Sequence, residues 1–203
     1  MVRIAIVDYG VGNLKSIRNG LKRVGAEAFV TGSVEGLRDV DAVVLPGVGA
    51  FGEAMRNLAD MSGVLRSLVD AGRPLLGICL GLQLLFTAST EGGFHRGLGF
   101  FKGLIVKLPS RVKIPHIGWN TLEILNPGCV LLEDIPDGSY VYFVHSYYAK
   151  VEEGVNVDAE TVYGIRFPSV VSKEPVFATQ FHPERSGKVG LRVLENFVNY
   201  IRR

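Results

Sequence analysis

The stretch GICLGLQLLF, residues 77–86, joins a buried apolar run to a second one through a glycine-flanked cysteine. The preceding run RPLLGIC predicts a buried strand, and the residues after Cys79 predict a buried helix that continues through Phe86. Glycines two positions before and after Cys79 give the spacing of a nucleophile elbow, with Cys in place of Ser. The elbow would place the sulfur beside a helix N-terminus, which favours thiolate over thiol. Taken alone, the pentapeptide fits a small buried hydrophobe equally well.

The first half of the chain alternates buried apolar runs with amphipathic stretches. RIAIVD (residues 3–8), AEAFVTG, DAVVLPG (residues 41–47) and RPLLGIC show no polar alternation, which predicts a parallel sheet covered on both faces. LKSIRNGLKRVG and GEAMRNLADMSGVLRSLVDAG predict helices between these strands, the second with a weak point at Gly63. A last strand, PVFATQF, and a helix, GKVGLRVLENFVNYIRR, follow near the C-terminus.

The second half changes character between residues 91 and 172. Short runs rich in β-branched and aromatic residues predict hairpins added to one edge or end of the sheet: GLIVKLP, GWNTLEIL, YVYFVHSYYAKV and TVYGIRF. The fold class expected is therefore α/β with three layers: a mainly parallel central sheet, helices on both faces, and antiparallel hairpins in the second half. A length of 203 residues favours one domain, residues 1–203.

Composition argues against several classes of function. The 22 basic and 20 acidic residues are scattered, so nucleic acid is not expected as a partner. Cys79 and Cys129 lie far apart without metal-ligand spacing, which predicts no metal site, no disulfide and a reducing, cytoplasmic compartment; Cys129 is interpreted as structural. The uncharged run at residues 74–90 is shorter than a membrane span and contains two glycines and a Gln, so burial inside a domain is favoured over a membrane. The N-terminal apolar run is too short for a signal peptide.

A cysteine nucleophile needs a base, and the chain has four histidines. His182, in ATQFHPERSG, directly follows a predicted strand, and Pro183 favours an extended backbone there. Residues two apart in an extended segment share a face, so Glu184 can accept a hydrogen bond from His182 and orient it. His182 alone could be a surface histidine beside a proline turn. Together with Cys79, the pattern predicts a Cys-His-Glu triad.

Acyl chemistry also requires donors for an oxyanion. The Leu80 amide, directly after the nucleophile, is one candidate. The loop PGVGAFG, residues 46–52, offers a second, because Gly47 and Gly49 allow the Val48 amide unusual orientations; Val48, Gly49 and Leu80 are thus the predicted oxyanion hole. The rival interpretation, a phosphate-binding loop, lacks the Walker lysine and the full dinucleotide fingerprint.

GICLGLQLLF followed about a hundred residues later by FHPE resembles the class I, triad-type glutamine amidotransferases. The resemblance implies that Cys79 attacks the side-chain amide of L-glutamine, that His182 is general base and acid, and that Glu184 orients it. Glutamate and ammonia would be the products, with no cofactor. It also implies glutamine contacts at Gln83, Gly47, Ser146 and Tyr147, the last two in HSYY. Gln83 could instead satisfy a buried helix, and Tyr147 could belong to the core.

Motifs along nearly the whole chain resemble the members of this family that work as separate glutaminase subunits: DYGVGNLKSI, PGVGAFGEAM, PHIGWN, YFVHSYY and ATQFHPERSG. The resemblance implies a heterodimer with a (βα)8-barrel synthase subunit that receives the ammonia. The implied docking residues are Asn13, Lys15, Arg18, Trp119 and Arg185. Lys15 and Arg18 alone are equally typical of a solvated helix face, whereas the single Trp in a Gly-flanked loop suggests an anchor or gate.

Two other functions remain compatible with these residues. A stand-alone cysteine hydrolase acting on γ-glutamyl peptides would use the same elbow and triad without a partner. A binding module that has lost its chemistry is disfavoured by the intact Cys79, His182 and Glu184. If the loop between Gly47 and Gly49 must reorient before Val48 can donate, the isolated subunit is expected to be a poor glutaminase.

Overall fold

The computed structural model describes residues 1–10 and 12–203. The strands are β1 (Arg3–Val7), β2 (Glu27–Thr31), β3 (Ala42–Leu45), β4 (Leu75–Ile78), β5 (Phe86–Ser89), β6 (His95–Arg96), β7 (Phe101–Lys107), β8 (His116–Thr121), β9 (Glu123–Ile124), β10 (Tyr140–His145), β11 (Tyr147–Val151), β12 (Asn156–Val162), β13 (Arg166–Lys173) and β14 (Val176–Thr179). The α-helices are α1 (Leu14–Arg23), α2 (Phe51–Asn57), α3 (Ala59–Asp70), α4 (Leu80–Leu84) and α5 (Gly187–Arg202). Within the described residues, no helix has the length and hydropathy needed to span a membrane.

A large central sheet organises the molecule, with strand order β2-β1-β3-β4-β14-β13-β12-β9. The first five strands are parallel, and the pairs from β14 to β9 are antiparallel. The parallel strands consist almost entirely of apolar residues such as Val, Ile, Leu and Ala, because both faces of the sheet are buried there. Strands β4 and β14 are neighbours, with Ile78 opposite Thr179. The loops that follow these two strands therefore leave the same edge of the sheet side by side.

Apolar side chains cover both faces of this sheet, as the three-layer prediction requires. Helices α1 and α5 pack on one face through residues such as Leu21 and Phe197. Helices α2, α3 and α4 pack on the other face, together with a four-stranded sheet of order β11-β7-β5-β6. Each large side chain fully buried in these layers contributes about 1.5–3 kcal/mol. The predicted α/β class is confirmed.

Two predicted helix boundaries were wrong. The helix after residue 50 breaks at Leu58, where α2 ends and α3 begins, and Gly63 lies inside α3 with open space around it. The Asn57 side chain donates to the Tyr9 carbonyl at this break, 3.1 Å away. The helix after Cys79 stops at Leu84, and Phe86 begins β5, paired with Phe101. An uninterrupted apolar run shows no period that distinguishes a buried helix from a buried strand.

The strands of the second half do not all join one edge of the central sheet, as the predicted hairpins would; they are distributed over three sheets. YVYFVHSYYAKV splits at Ser146: β10 pairs with β8 in a two-stranded ribbon, whereas β11 pairs with β7 in the four-stranded sheet. Ser146 turns the chain between the two sheets, and its carbonyl accepts from the Leu108 amide at 2.9 Å. Only β13, β12 and β9 extend the central sheet itself.

Candidate active site

Cys79 occupies a strained corner between β4 and α4. Its backbone has φ 55° and ψ −107°, a conformation that L-residues rarely adopt and that costs of order 1–3 kcal/mol. A Cβ at Gly81 would lie 1.8 Å from the Leu45 carbonyl oxygen, and one at Gly77 would lie 2.6 Å from Leu85 Cδ1. The two glycines are therefore required by contact with backbone and core, which is the physical basis of the elbow spacing.

The Cys79 sulfur is contacted by neighbours from two segments, the end of β10 and the residues after β14. Its thiol lies 3.5 Å from the Val144 carbonyl oxygen, to which it can donate, and the Gln180 side-chain amide donates to the sulfur at 3.8 Å. Helix α4 is only five residues long, so its dipole is weaker than the predicted longer helix would supply. The Gln180 amide and the imidazole of His182 are the side-chain donors at this sulfur.

His182 and Glu184 come together as the sequence predicts. His182 Nδ1 lies 2.8 Å from Glu184 Oε1, and both side chains are buried. With Nδ1 occupied by the carboxylate, Nε2 is left for the hydrogen bond to Cys79. Burial alone lowers the pKa of His182, but the Cys79 thiolate and the Glu184 carboxylate outweigh it and raise that pKa to about 10. A proton that the thiol gives to this imidazole is therefore retained there.

Asn13, one of the predicted docking residues, contacts the buried Glu184 carboxylate within this chain. Asn13 stands at the start of α1 with φ 72°, and its side-chain amide donates to the same Glu184 Oε1 that accepts from His182. The other oxygen, Glu184 Oε2, is buried and has no hydrogen-bond partner among the described residues. The Glu184 carboxylate is thus oriented from two sides through a single oxygen.

A cavity of about 270 Å³ opens beside Cys79. The predicted site residues in its wall are Val48, Gly49, Cys79, Leu80, Gln83, Ser146 and Tyr147. Gly49 has φ 116°, in the region that favours glycine, and Val48 is 43% exposed. Gly47 does not line the cavity but packs behind it, where a Cβ would lie 2.4 Å from the Tyr9 hydroxyl oxygen and 2.8 Å from Leu80 Cβ. The loop between Pro46 and Gly49 is therefore built against the elbow.

Gln83 presents a defined face to the cavity. Its Nε2 donates to the Tyr147 carbonyl at 3.0 Å and to Gln180 Oε1 at 3.3 Å. Because a carbonyl can only accept, Nε2 must be the atom facing Tyr147, and Oε1 accepts no hydrogen bond from residues 1–10 or 12–203. Gln83 is 5% exposed, so this acceptor is available to a ligand in the cavity and not to bulk solvent.

The remaining predicted docking residues lie near the triad on the outside of the protein. Trp119 is 55% exposed and meets Tyr142 edge-on, with ring centroids 5.9 Å apart. The Arg185 guanidinium also lies over the Tyr142 ring, 4.4 Å from its centroid. Lys15 is exposed, while Arg18 is half-buried with its Nε buried and unpaired among the described residues.

Sequence reasoning missed several polar side chains at the site. Glu91 and His145 line the cavity, and Gln180 contacts the sulfur. Gln180 could have been found, because it lies two residues before His182 in an extended segment and shares its face. Glu91 gave no such signal: its Oε2 accepts from the Phe51 amide at 2.9 Å and so caps α2 across the fold.

Comparison with known proteins agrees with this geometry. Residues 5–200 match the model of the family described as Glutamine amidotransferase class-I. The chain belongs to the class-I glutamine amidotransferases. It is 50% identical over 202 residues to the imidazole glycerol phosphate synthase subunit HisH of Archaeoglobus fulgidus, covering 98% of this chain and 100% of the relative. The subunits of the same name from Caldanaerobacter subterraneus subsp. tengcongensis and Aquifex aeolicus are each 48% identical, covering 98% and 97% of this chain and 98% and 96% of their own lengths.

Solved structures share the fold. A crystal structure described as a glutamine amidotransferase superposes with a TM-score of 0.78 at 22% identity, covering 98% of this chain and 99% of the other. The PurLQS structure from Thermotoga maritima gives a TM-score of 0.78 at 23% identity, covering 98% of both chains. At these identities, the likeness shows a shared fold alone.

Proposed function

We propose that this protein is the glutaminase subunit of imidazole glycerol phosphate synthase, in histidine biosynthesis. It hydrolyses L-glutamine to glutamate and ammonia, and a synthase subunit uses the ammonia to form imidazole glycerol phosphate and aminoimidazole carboxamide ribotide. The observation that carries the proposal is the buried alignment of Cys79, His182 and Glu184 beside a cavity, in a chain 50% identical to such a subunit over nearly its whole length.

The first step transfers the Cys79 thiol proton to His182 Nε2. The thiolate then attacks the side-chain carbonyl carbon of glutamine, and His182 returns the proton to the departing nitrogen, which leaves as ammonia. The glutamyl thioester remains on Cys79. Water, deprotonated by His182, attacks the thioester, and its collapse gives glutamate and restores the thiol. Glu184 stabilises the imidazolium formed in each half-reaction.

The cavity wall supplies the complementary groups for this substrate. The amides of Val48, Gly49 and Leu80 are the proposed donors to the oxyanion. Gln83 Oε1 accepts from an N–H group of the substrate, and residues 146–147 bind its backbone end. Glu91 adds a carboxylate to the same wall, where it can pair with the α-ammonium of free glutamine. This last pairing requires a free α-ammonium and therefore disfavours substrates that are acylated at that nitrogen.

The proposed partner is a separate (βα)8-barrel subunit, and the proposed compartment is the cytoplasm. One face of the β8–β10 ribbon supports a docking surface, because Ile117, Trp119 and Tyr140 on it are 60%, 55% and 62% exposed. Arg185 lies beside this apolar face, two residues beyond the start of the turn that holds Glu184. A partner bound here would cover the triad and receive ammonia close to where it forms.

The test is glutamine hydrolysis by the purified chain with and without a barrel subunit and its nucleotide ligand. We expect slow turnover alone and a large increase in the complex. Cys79→Ala should abolish glutamine use while the complex still runs on added ammonia, and a glutamine-like electrophile should label Cys79. Full activity without a partner would instead support the stand-alone hydrolase. Absence of any adduct at Cys79 would reject an enzymatic role.

A further inference from the structure

Two buried histidines outside the triad form a hydrogen-bonded pair beside the cavity. His116 and His145 are 3% and 5% exposed, and His116 Nδ1 lies 2.9 Å from His145 Nε2. His145 also lines the cavity. Neither residue has a part in the chemistry described above, although burying two imidazoles is costly unless their nitrogens are paired.

The direction of this hydrogen bond follows from its outer end. The Asn120 side chain donates from Nδ2 to the Val162 carbonyl at 3.0 Å and accepts at Oδ1 from the Thr121 amide at 2.8 Å, so its orientation is unambiguous. The same Nδ2 lies 3.4 Å from His116 Nε2, which must therefore accept. A neutral His116 then carries its proton on Nδ1 and donates to His145.

The inner end gives the same answer independently. His145 Nδ1 lies 2.9 Å from the Tyr147 carbonyl oxygen, which can only accept, so this nitrogen carries the proton and Nε2 accepts from His116. Protonating either ring would set two donors against each other. Burial accordingly lowers the pKa of His116 to about 4 and that of His145 to about 3. A continuous series of hydrogen bonds between uncharged groups therefore runs from Asn120 through His116 and His145 to the Tyr147 carbonyl.

This chain ends at the corner that carries the glutamine-binding segment. Strand β10 ends at His145 and β11 begins at Tyr147, in a different sheet, with Ser146 between them. The His145 ring spans the corner from one strand to the next. The Tyr147 carbonyl that it holds is the one that also accepts from Gln83 Nε2 at 3.0 Å. Loss of the His145 contact would loosen both the corner and the orientation of Gln83.

We propose that His116 and His145 are positioning residues that hold residues 146–147 and the Gln83 amide in the geometry that binds glutamine. The inference rests on the proposed function, because it assigns these groups to glutamine. The pair acts on binding and not on the reacting bonds, so its loss should appear mainly in KM.

The experiment compares two substitutions at each position in the complex with the barrel subunit. His145→Phe and His116→Phe keep ring bulk but remove the hydrogen bonds, and should raise KM for glutamine about tenfold with a smaller change in kcat. His145→Asn and His116→Asn keep a donor where Nδ1 stood and should stay within about threefold of wild type. Ammonia-dependent synthesis, which bypasses the site, should be unchanged in all four variants and reports folding.

The proposal is overturned if the Phe variants keep the wild-type KM for glutamine and the Asn variants do not. The pair would then serve packing, since the His116 ring stacks on Tyr163 with ring centroids 4.0 Å apart. Nitrogen-15 NMR of the imidazoles gives a readout that needs no activity. We expect His145 to remain neutral and protonated on Nδ1 at a pH of about 6, because its lowered pKa lies well below that value, and the other tautomer or an imidazolium would reject the assignment. A wild-type complex that does not hydrolyse glutamine would instead reject the proposed function.

Discussion

Replacing Glu184 with Gln tests how the buried carboxylate supports catalysis. In the native protein Glu184 Oε1 accepts from His182 Nδ1 at 2.8 Å and from the Asn13 amide, while Oε2 is unpaired among the described residues. A Gln side chain can keep an oxygen toward both donors, so the geometry persists and the negative charge is lost. Charge-assisted hydrogen bonds contribute about 1.5–3 kcal/mol. We therefore expect kcat for glutamine to fall about 10- to 150-fold, less than in His182→Ala.

The pH dependence gives the sharper test of the same substitution. Because the carboxylate helps to raise the pKa of His182 to about 10, Glu184→Gln should move the alkaline limb of the kcat/KM profile to lower pH. Glu195→Gln is the matched control, since that half-exposed carboxylate lies far from the triad in sequence and pairs with Arg192 on α5. An unchanged profile with unchanged kcat would refute the orienting role, and a loss equal to that of His182→Ala would show that the triad acts as a unit.

Three further changes probe stability and assembly. Gly81→Ala should lower the free energy of unfolding by more than about 3 kcal/mol, because the new Cβ would lie 1.8 Å from the Leu45 carbonyl oxygen. Gly63 lies in open space inside α3, so Gly63→Ala should raise the free energy of unfolding by about 0.5–1 kcal/mol. Denaturant titrations measure both changes. Burial raises the pKa of Asp158, so the contribution of this group to the stability of the fold should fall as pH rises above 3.8. Asp158→Asn should therefore make the stability lost between acid and neutral pH smaller in melting curves and gain about 1 kcal/mol at neutral pH; the same loss in variant and wild type would contradict this. Trp119→Ala should weaken barrel binding about tenfold or more in calorimetry without lowering Tm, and unaltered affinity would remove Trp119 from the interface.

The features that the sequence predicts correctly are those set by residues close together in the chain. The elbow at Cys79 and the pairing of His182 with Glu184 follow from short-range spacing, and both were predicted. The boundary at Phe86 and the split at Ser146 depend on which distant strand each segment meets, and apolar periodicity carries no such information. The contact of Asn13 with the Glu184 carboxylate joins positions 171 residues apart and was invisible for the same reason.

The backbone at Cys79 has a consequence for the evolution and engineering of this protein. Its φ of 55° would suit glycine better than any residue with a side chain. The inactive variant Cys79→Gly should therefore have a higher Tm than the wild-type protein. Selection for thermal stability alone would favour loss of the nucleophile. A screen for stabilised variants of this protein must therefore also require glutamine turnover.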